Sequence, residues 1–174
     1  MWTGFWDTDV KVDRVRSLAR FNVNTIPSNV TVVSANLVLY MGIAHDNQGN
    51  VSRPVTTYRI TDDWDEMTAN WNNAPGYDNT AYGSASINRD DLGEYSFDVT
   101  SLVAGWVDGT YDNNGILLIG PEAAINGAIR GFATLDNPIE GSKPRLEIEY
   151  EPPPLIPTDF SYMPVIAMNY PVIS

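Results

Sequence analysis

Apolar and polar positions alternate along most of this chain with the two-residue period of strands. The stretch 17–23 (SLARFNV) alternates, with Leu18 out of phase from Phe21 and Val23. The longer run 32–41 (VVSANLVLYM) puts Leu37, Leu39 and Met41 on one side and Val38 and Tyr40 on the other. Both sides being apolar predicts a strand covered on each face, or one beside an assembly contact. Alternation returns at 55–61 and 94–99, and 115–120 is a short apolar run between two glycines. The segment 129–134 adds one more strand. The cleanest pattern is 145–150, with Leu146, Ile148 and Tyr150 predicted inward and Glu147 and Glu149 outward.

Helix signals are few. Thr100 or Ser101 is placed to cap a short helix whose Leu102, Val103, Trp106 and Val107 share one face. A second half-helical stretch is expected over 64–71. Asn, Asp, Gly and Pro fill the connections, as at Asn72-Asn73, Pro75-Gly76, Asp108-Gly109 and Asn126-Gly127. Strands joined by such turns predict an all-β fold, an antiparallel jelly-roll-like β-sandwich with one or two short helices.

The pattern breaks after Tyr150. A sandwich over 1–150 gives way to a proline hinge at 151–154, Glu151-Pro152-Pro153-Pro154, which no central strand could continue. Beyond it, 155–174 is an extended tail with no Lys or Arg and one acid, Asp159. It carries Leu155, Ile156, Phe160, Tyr162, Val165, Ile166, Met168, Tyr170 and Val172, with prolines at 157, 164 and 171. So apolar a segment is expected to be buried somewhere.

Composition narrows the partners. Ten Lys and Arg against 22 Asp and Glu give a net charge of −12, which repels phosphate and argues against nucleic acid. The absence of cysteine removes disulfides and thiolate sites, and a lone histidine, His45, removes multi-histidine metal sites. No apolar run approaches the roughly 20 residues of a membrane span.

Four segments together resemble one family: RSLARFNV at 16–23 with SANLVLY at 34–40; YRITDDW at 58–64 continuing to TANWNNAP at 68–75; YSFDVTSLV at 95–103 with Trp106; and KPRLEIEY at 143–150. In order and spacing they resemble the DNRLRE-type domain, akin to disaggregatase-related repeats and to carbohydrate-binding modules found beside alginate-degrading enzymes. The resemblance spans 3 to 150. It implies an extracellular, non-catalytic jelly-roll sandwich, usually one module of a larger surface, adhesive or polysaccharide-acting protein; the expected location is the cell surface or outside the cell, a virion surface included. Members usually begin with a strand ahead of the glycine corresponding to Gly4, and this chain has almost nothing there. The expectation is an open sheet edge, filled by the tail of a neighbouring copy, which would join copies into a filament; a tail folded back on its own domain, or a first strand lying upstream in a longer protein, are the alternatives. A polysaccharide-binding module is the alternative.

Several residue groups are candidates for chemistry. Asp62, Asp63, Asp65 and Glu66 around Trp64 could supply a glycosidase's acid pair, but the resemblance makes them a structural turn. Oxygen-rich loops containing Asp108, Asp112 and Asn113 are a candidate structural calcium site, without the fixed spacing of a calcium loop. Trp2, Trp6, Tyr77, Tyr82 and Tyr111 are read as loop aromatics able to stack on sugar faces. Trp71 and Trp106 are expected in the core by the same resemblance. His45 sits in a polar loop and reads as a surface histidine. Asn29-Val-Thr31 and Asn50-Val-Ser52 fit the glycosylation pattern.

Overall fold

The computed structural model describes residues 1–7, 12–122 and 127–153. The assembly residues expected from Leu155 to Val172 therefore lie outside the described residues.

The strands are β1 (Trp2–Asp7), β2 (Val12–Val15), β3 (Ser17–Ala19), β4 (Thr31–Asp46), β5 (Ser52–Ile60), β6 (Tyr77–Asn88), β7 (Gly93–Asp98), β8 (Ile116–Ile119), β9 (Ala128–Phe132) and β10 (Arg145–Glu151), with a helix α1 (Thr100–Val107) between β7 and β8. They form a six-stranded sheet in the order β10-β4-β9-β1-β2, with β7 also on β4, and a four-stranded sheet β3-β8-β5-β6. Every pairing is antiparallel. The expected all-β sandwich is what the chain forms.

The alternation in β4 explains the core. Leu37, Leu39 and Met41 are fully buried and face Val55, Ile116 and Leu118 of the smaller sheet. On the far side of β4, Val38 is also buried but Tyr40 is 37% exposed. Helix α1 closes one end through Leu102, Val103, Trp106 and Val107. Thr100 does not cap it as a side chain; Asp98 accepts the Thr100 N–H instead, at 3.0 Å. The half-helix expected over 64–71 is a series of turns. Tyr150, expected inward, is 42% exposed, because the pairing of β10 with β4 shifts register between Glu149 and Tyr150.

Gly4 itself lies within a strand: Trp2–Asp7 forms β1, paired on one edge with β9 and on the other with β2. Gly4 permits this with φ 128°, and a Cβ there would stand 2.2 Å from the Ala128 carbonyl oxygen.

A buried arginine, unforeseen in the sequence, ties the two sheets together. Arg130 of β9 is fully buried and donates to the carbonyls of Ile87, Val51, Ile129 and His45 at 3.0–3.3 Å. Its charge is met by buried Asp46 at 3.5 Å. Arg53 grips the same carboxylate at 2.9 and 3.2 Å, and the Gln48 N–H donates to it at 3.0 Å. Nearly every polar atom is satisfied, as a buried charge requires.

Candidate functional site

Alternation in the smaller sheet sorts its two faces. Ser17, Leu118 and Thr57 lie side by side and point to the core, so Leu18, Leu117 and Tyr58, paired one row over, share the outer face. The 61–76 loop folds across one end of that outer face. It is pinned at several points: Thr61 N–H to Gly76 O at 2.9 Å, Gly76 N–H to an Asp62 carboxylate oxygen at 2.9 Å, and the Trp64 indole N–H to Asn114 O at 2.7 Å. Arg20 pairs with Asp63 at 2.7 Å and lies over the Trp64 ring.

At the tip of this loop Trp71 stands 56% exposed, although the sequence resemblance placed it in the core. Its orientation is set from two directions. The indole N–H donates to Arg14 O at 3.0 Å, and the Arg16 guanidinium sits 5.1 Å from the ring centroid. Arg16 also lies 5.5 Å from the Tyr77 ring, and Tyr77 meets Tyr58 edge to face at 5.6 Å. Glu122 holds Arg16 in place with two hydrogen bonds, 2.6 and 2.9 Å. The bond to Glu122 raises the Arg16 pKa above its ordinary value. Beside the ring is a shallow groove of about 160 Å³ floored by Leu18 and Leu117 and walled by Asn70, Ala74 and Pro75. The site is thus an exposed aromatic plane held rigid beside a cation, with amide side chains at its rim.

The other sugar-contact candidates are scattered. Tyr77 joins the Trp71 group, and it begins β6 rather than lying in a loop. Tyr82, also in β6, and Tyr111 pack against the core with Arg59, whose guanidinium is 4.3 Å from the Tyr111 ring. Burial raises the Tyr82 pKa, with Tyr111 adding to it. These two tyrosines support the sheet. Trp2 is 41% exposed on the opposite side of the sandwich, because its neighbour Thr3 turns inward to Leu118 O at 3.1 Å. Trp6 lies in β1, and its side chain falls outside the described residues.

The acid candidates are engaged by the backbone. Asp62 holds Gly76, Asp63 pairs with Arg20, and Asp65 accepts the Met67 N–H at 2.8 Å. Asp108 accepts the Thr110 N–H at 2.9 Å, and the Asn113 amide donates to Phe21 O at 2.8 Å. Asp112 is exposed. Among the described residues no group of three or more His, Asp or Glu side chains is placed to hold a metal. His45 is exposed and hydrogen bonds Asn47 at 2.6 Å.

Trp71 is thus a rigid, exposed ring on an outer face of the sandwich. The family model for carbohydrate-binding module family 96 matches residues 6–150. The chain belongs to that family. No curated protein matches the chain. The family 96 match covers nearly the span of the resemblance read from the sequence, and both describe a carbohydrate-binding-module-like domain. It takes in Arg16, Trp71, Tyr77 and Glu122, and it ends just before the proline hinge.

Proposed function

We propose that this family 96 module is a non-catalytic polysaccharide-binding domain, with Trp71 as its stacking surface. The observation that carries the reading is the Trp71 ring: half exposed, yet fixed by Arg14 O and the Arg16 guanidinium. Holding an apolar plane rigid in water is stabilising only when something covers it, and the C–H face of a pyranose fits. Asn70 and the Arg16–Glu122 pair supply donors and acceptors for hydroxyls at the edge of that plane.

Carbohydrate-binding modules are usually non-catalytic, and Asp62, Asp63 and Asp65 are occupied in holding the loop beneath the site. A location at the cell surface or outside the cell fits a polysaccharide ligand. The DNRLRE type remains the finer family reading, supported by the four segments in register.

The test is affinity electrophoresis in gels containing a neutral glucan or a uronate polymer. Retardation of the full chain by either, lost in Trp71→Ala at an unchanged melting temperature, supports the reading. Equal retardation of both proteins would move the site elsewhere.

A further inference from the structure

The charges around Trp71 divide polysaccharides into two classes. Along the segment from β2 through β3 stand Arg14, Arg16 and Arg20. Two of these charges are already matched. Arg16 gives Nε and one terminal nitrogen to the two Glu122 oxygens at 2.6 and 2.9 Å. Arg20 gives a terminal nitrogen to Asp63 at 2.7 Å. Arg14 lends the site its carbonyl, while its side chain is exposed. Facing them is the 61–76 loop, which carries Asp62, Asp63, Asp65 and Glu66 and no Lys or Arg. All four of these acids are exposed. With Glu122 they make five acids around three arginines, on a chain whose net charge is −12.

Resting on the reading that Trp71 stacks on a sugar, we infer that the site selects neutral polysaccharides over uronates, and that Glu122 sets this preference. A sugar carboxylate gains from a guanidinium whose charge is unmatched. At Arg16 it would have to displace Glu122 or share the cation with it, and two carboxylates at one cation repel each other. The Arg16 and Glu122 side chains are 24% and 16% exposed, so solvent screens that repulsion only in part. A hydroxyl makes no such demand. It can accept from an Arg16 N–H that Glu122 leaves over, or donate to a spare lone pair of Glu122. Polymer length widens the contrast. Each further uronate unit brings another negative charge toward the acids of the 61–76 loop, whereas each neutral unit brings only hydroxyls and C–H groups.

The test is isothermal titration of the full chain with mixed-linkage glucan, galactomannan and xylan as neutral probes and polygalacturonate as the uronate. Each is run at about 0.01 M and about 1 M salt, where the screening length is about 30 Å and about 3 Å. At least one neutral polymer is expected to bind with an affinity that salt changes by less than about twofold. Polygalacturonate is expected to bind at least about tenfold more weakly at low salt, and to gain as salt screens the repulsion. Glu122→Gln leaves the Arg16 charge unmatched and should raise polygalacturonate affinity, relative to the neutral polymer, at least about tenfold at low salt. Asp63→Asn removes an exposed acid from the loop and should move the same ratio by about threefold; it serves in place of Glu122→Gln should that variant not fold. Polygalacturonate bound through Trp71 as tightly as the neutral polymers, and weakening with salt, would overturn the inference while leaving the stacking site intact. So would an unchanged ratio in the folded variants. Binding of none of the polymers, or binding untouched by Trp71→Ala, would instead remove the stacking site itself, and the selectivity with it.

Discussion

The two outer faces of the sandwich each present a half-exposed tryptophan, and they differ in what surrounds it. Trp71 has its N–H tied to a backbone carbonyl, a guanidinium 5.1 Å from its ring, and amide side chains at its edge. Trp2 lies against a glycine with Ile43, Ile139 and Tyr40 for neighbours. An aromatic plane attracts C–H groups in either setting, so the ring alone does not choose a ligand. The neighbours choose it. Polar groups at the rim can replace water on a hydroxylated ligand, whereas aliphatic ones reward only apolar cover.

The largest perturbation should strike both faces together, and it is the control for everything else. Arg130→Met leaves Asp46 and four backbone carbonyls short of a donor and is expected to cost about 3–5 kcal/mol. Urea denaturation should show the midpoint falling, with polysaccharide binding lost along with the fold. Asp46 gives the same clasp a pH signature. Burial opposes its charge, but Arg53 and the Gln48 N–H more than compensate, so its pKa lies below the ordinary 3.8. A carboxylate lowered on folding stabilises fully above its unfolded value and loses that stabilisation as pH falls through the folded one. The denaturation midpoint should therefore decline below pH 3.8, and Asp46→Asn should flatten that part of the decline while lowering stability at neutral pH.

Next in size is the exchange of the two tryptophans. Trp71→Ala is expected to weaken polysaccharide binding about tenfold, the equivalent of about 1.4 kcal/mol. Trp2→Ala should change it by less than twofold. Isothermal titration with the polymer retarded in gels reads both, and similar losses from the two variants would erase the distinction between the faces. Arg16→Lys probes the same face more gently. Lysine keeps the charge, but it has neither the planar fork that meets Glu122 twice nor the flat surface that stacks on Trp71. About a threefold loss of affinity is expected, and an unchanged affinity would leave Arg16 as a support for the loop alone.

The fold was legible where alternation was strong. β10 and β8 announce themselves, and the period of Leu102, Val103, Trp106 and Val107 places Trp106 in the core. β6 left no such mark. Its sequence, YDNTAYGSASIN, offers small residues on both faces, and its pairing with β5 shifts register twice, so its strand character comes from its partner. The site was half legible. Tyr77 belongs to it, but the family resemblance places Trp71 inward, and a turn of asparagines has no period from which to correct that direction. Arg130 was the most deceptive position. A lone arginine within AIRGF looks like an outward residue, and only the convergence of Val51 and Ile87 carbonyls from two other segments explains why it is buried.

The smallest expected effect isolates the Trp2 face. In Gly131→Ala the new methyl would overlap the Trp2 ring and Ile43, each at 2.7 Å, while no backbone atom is among the nearest three. Both obstructions are side-chain ends on an outer surface, so they can move aside. The loss of strand glycine flexibility offsets part of the crowding, and net stability should change by less than about 1 kcal/mol. What should change is the position of one ring. The five tryptophans give separate indole N–H resonances in a nitrogen-correlated NMR spectrum, and the Trp2 signal should shift while that of Trp71 stays. Polysaccharide affinity should remain within twofold. A shift at Trp71, or a loss of affinity, would mean the two faces communicate through β9 and β1, and that the sandwich recognises its ligand as one surface rather than two.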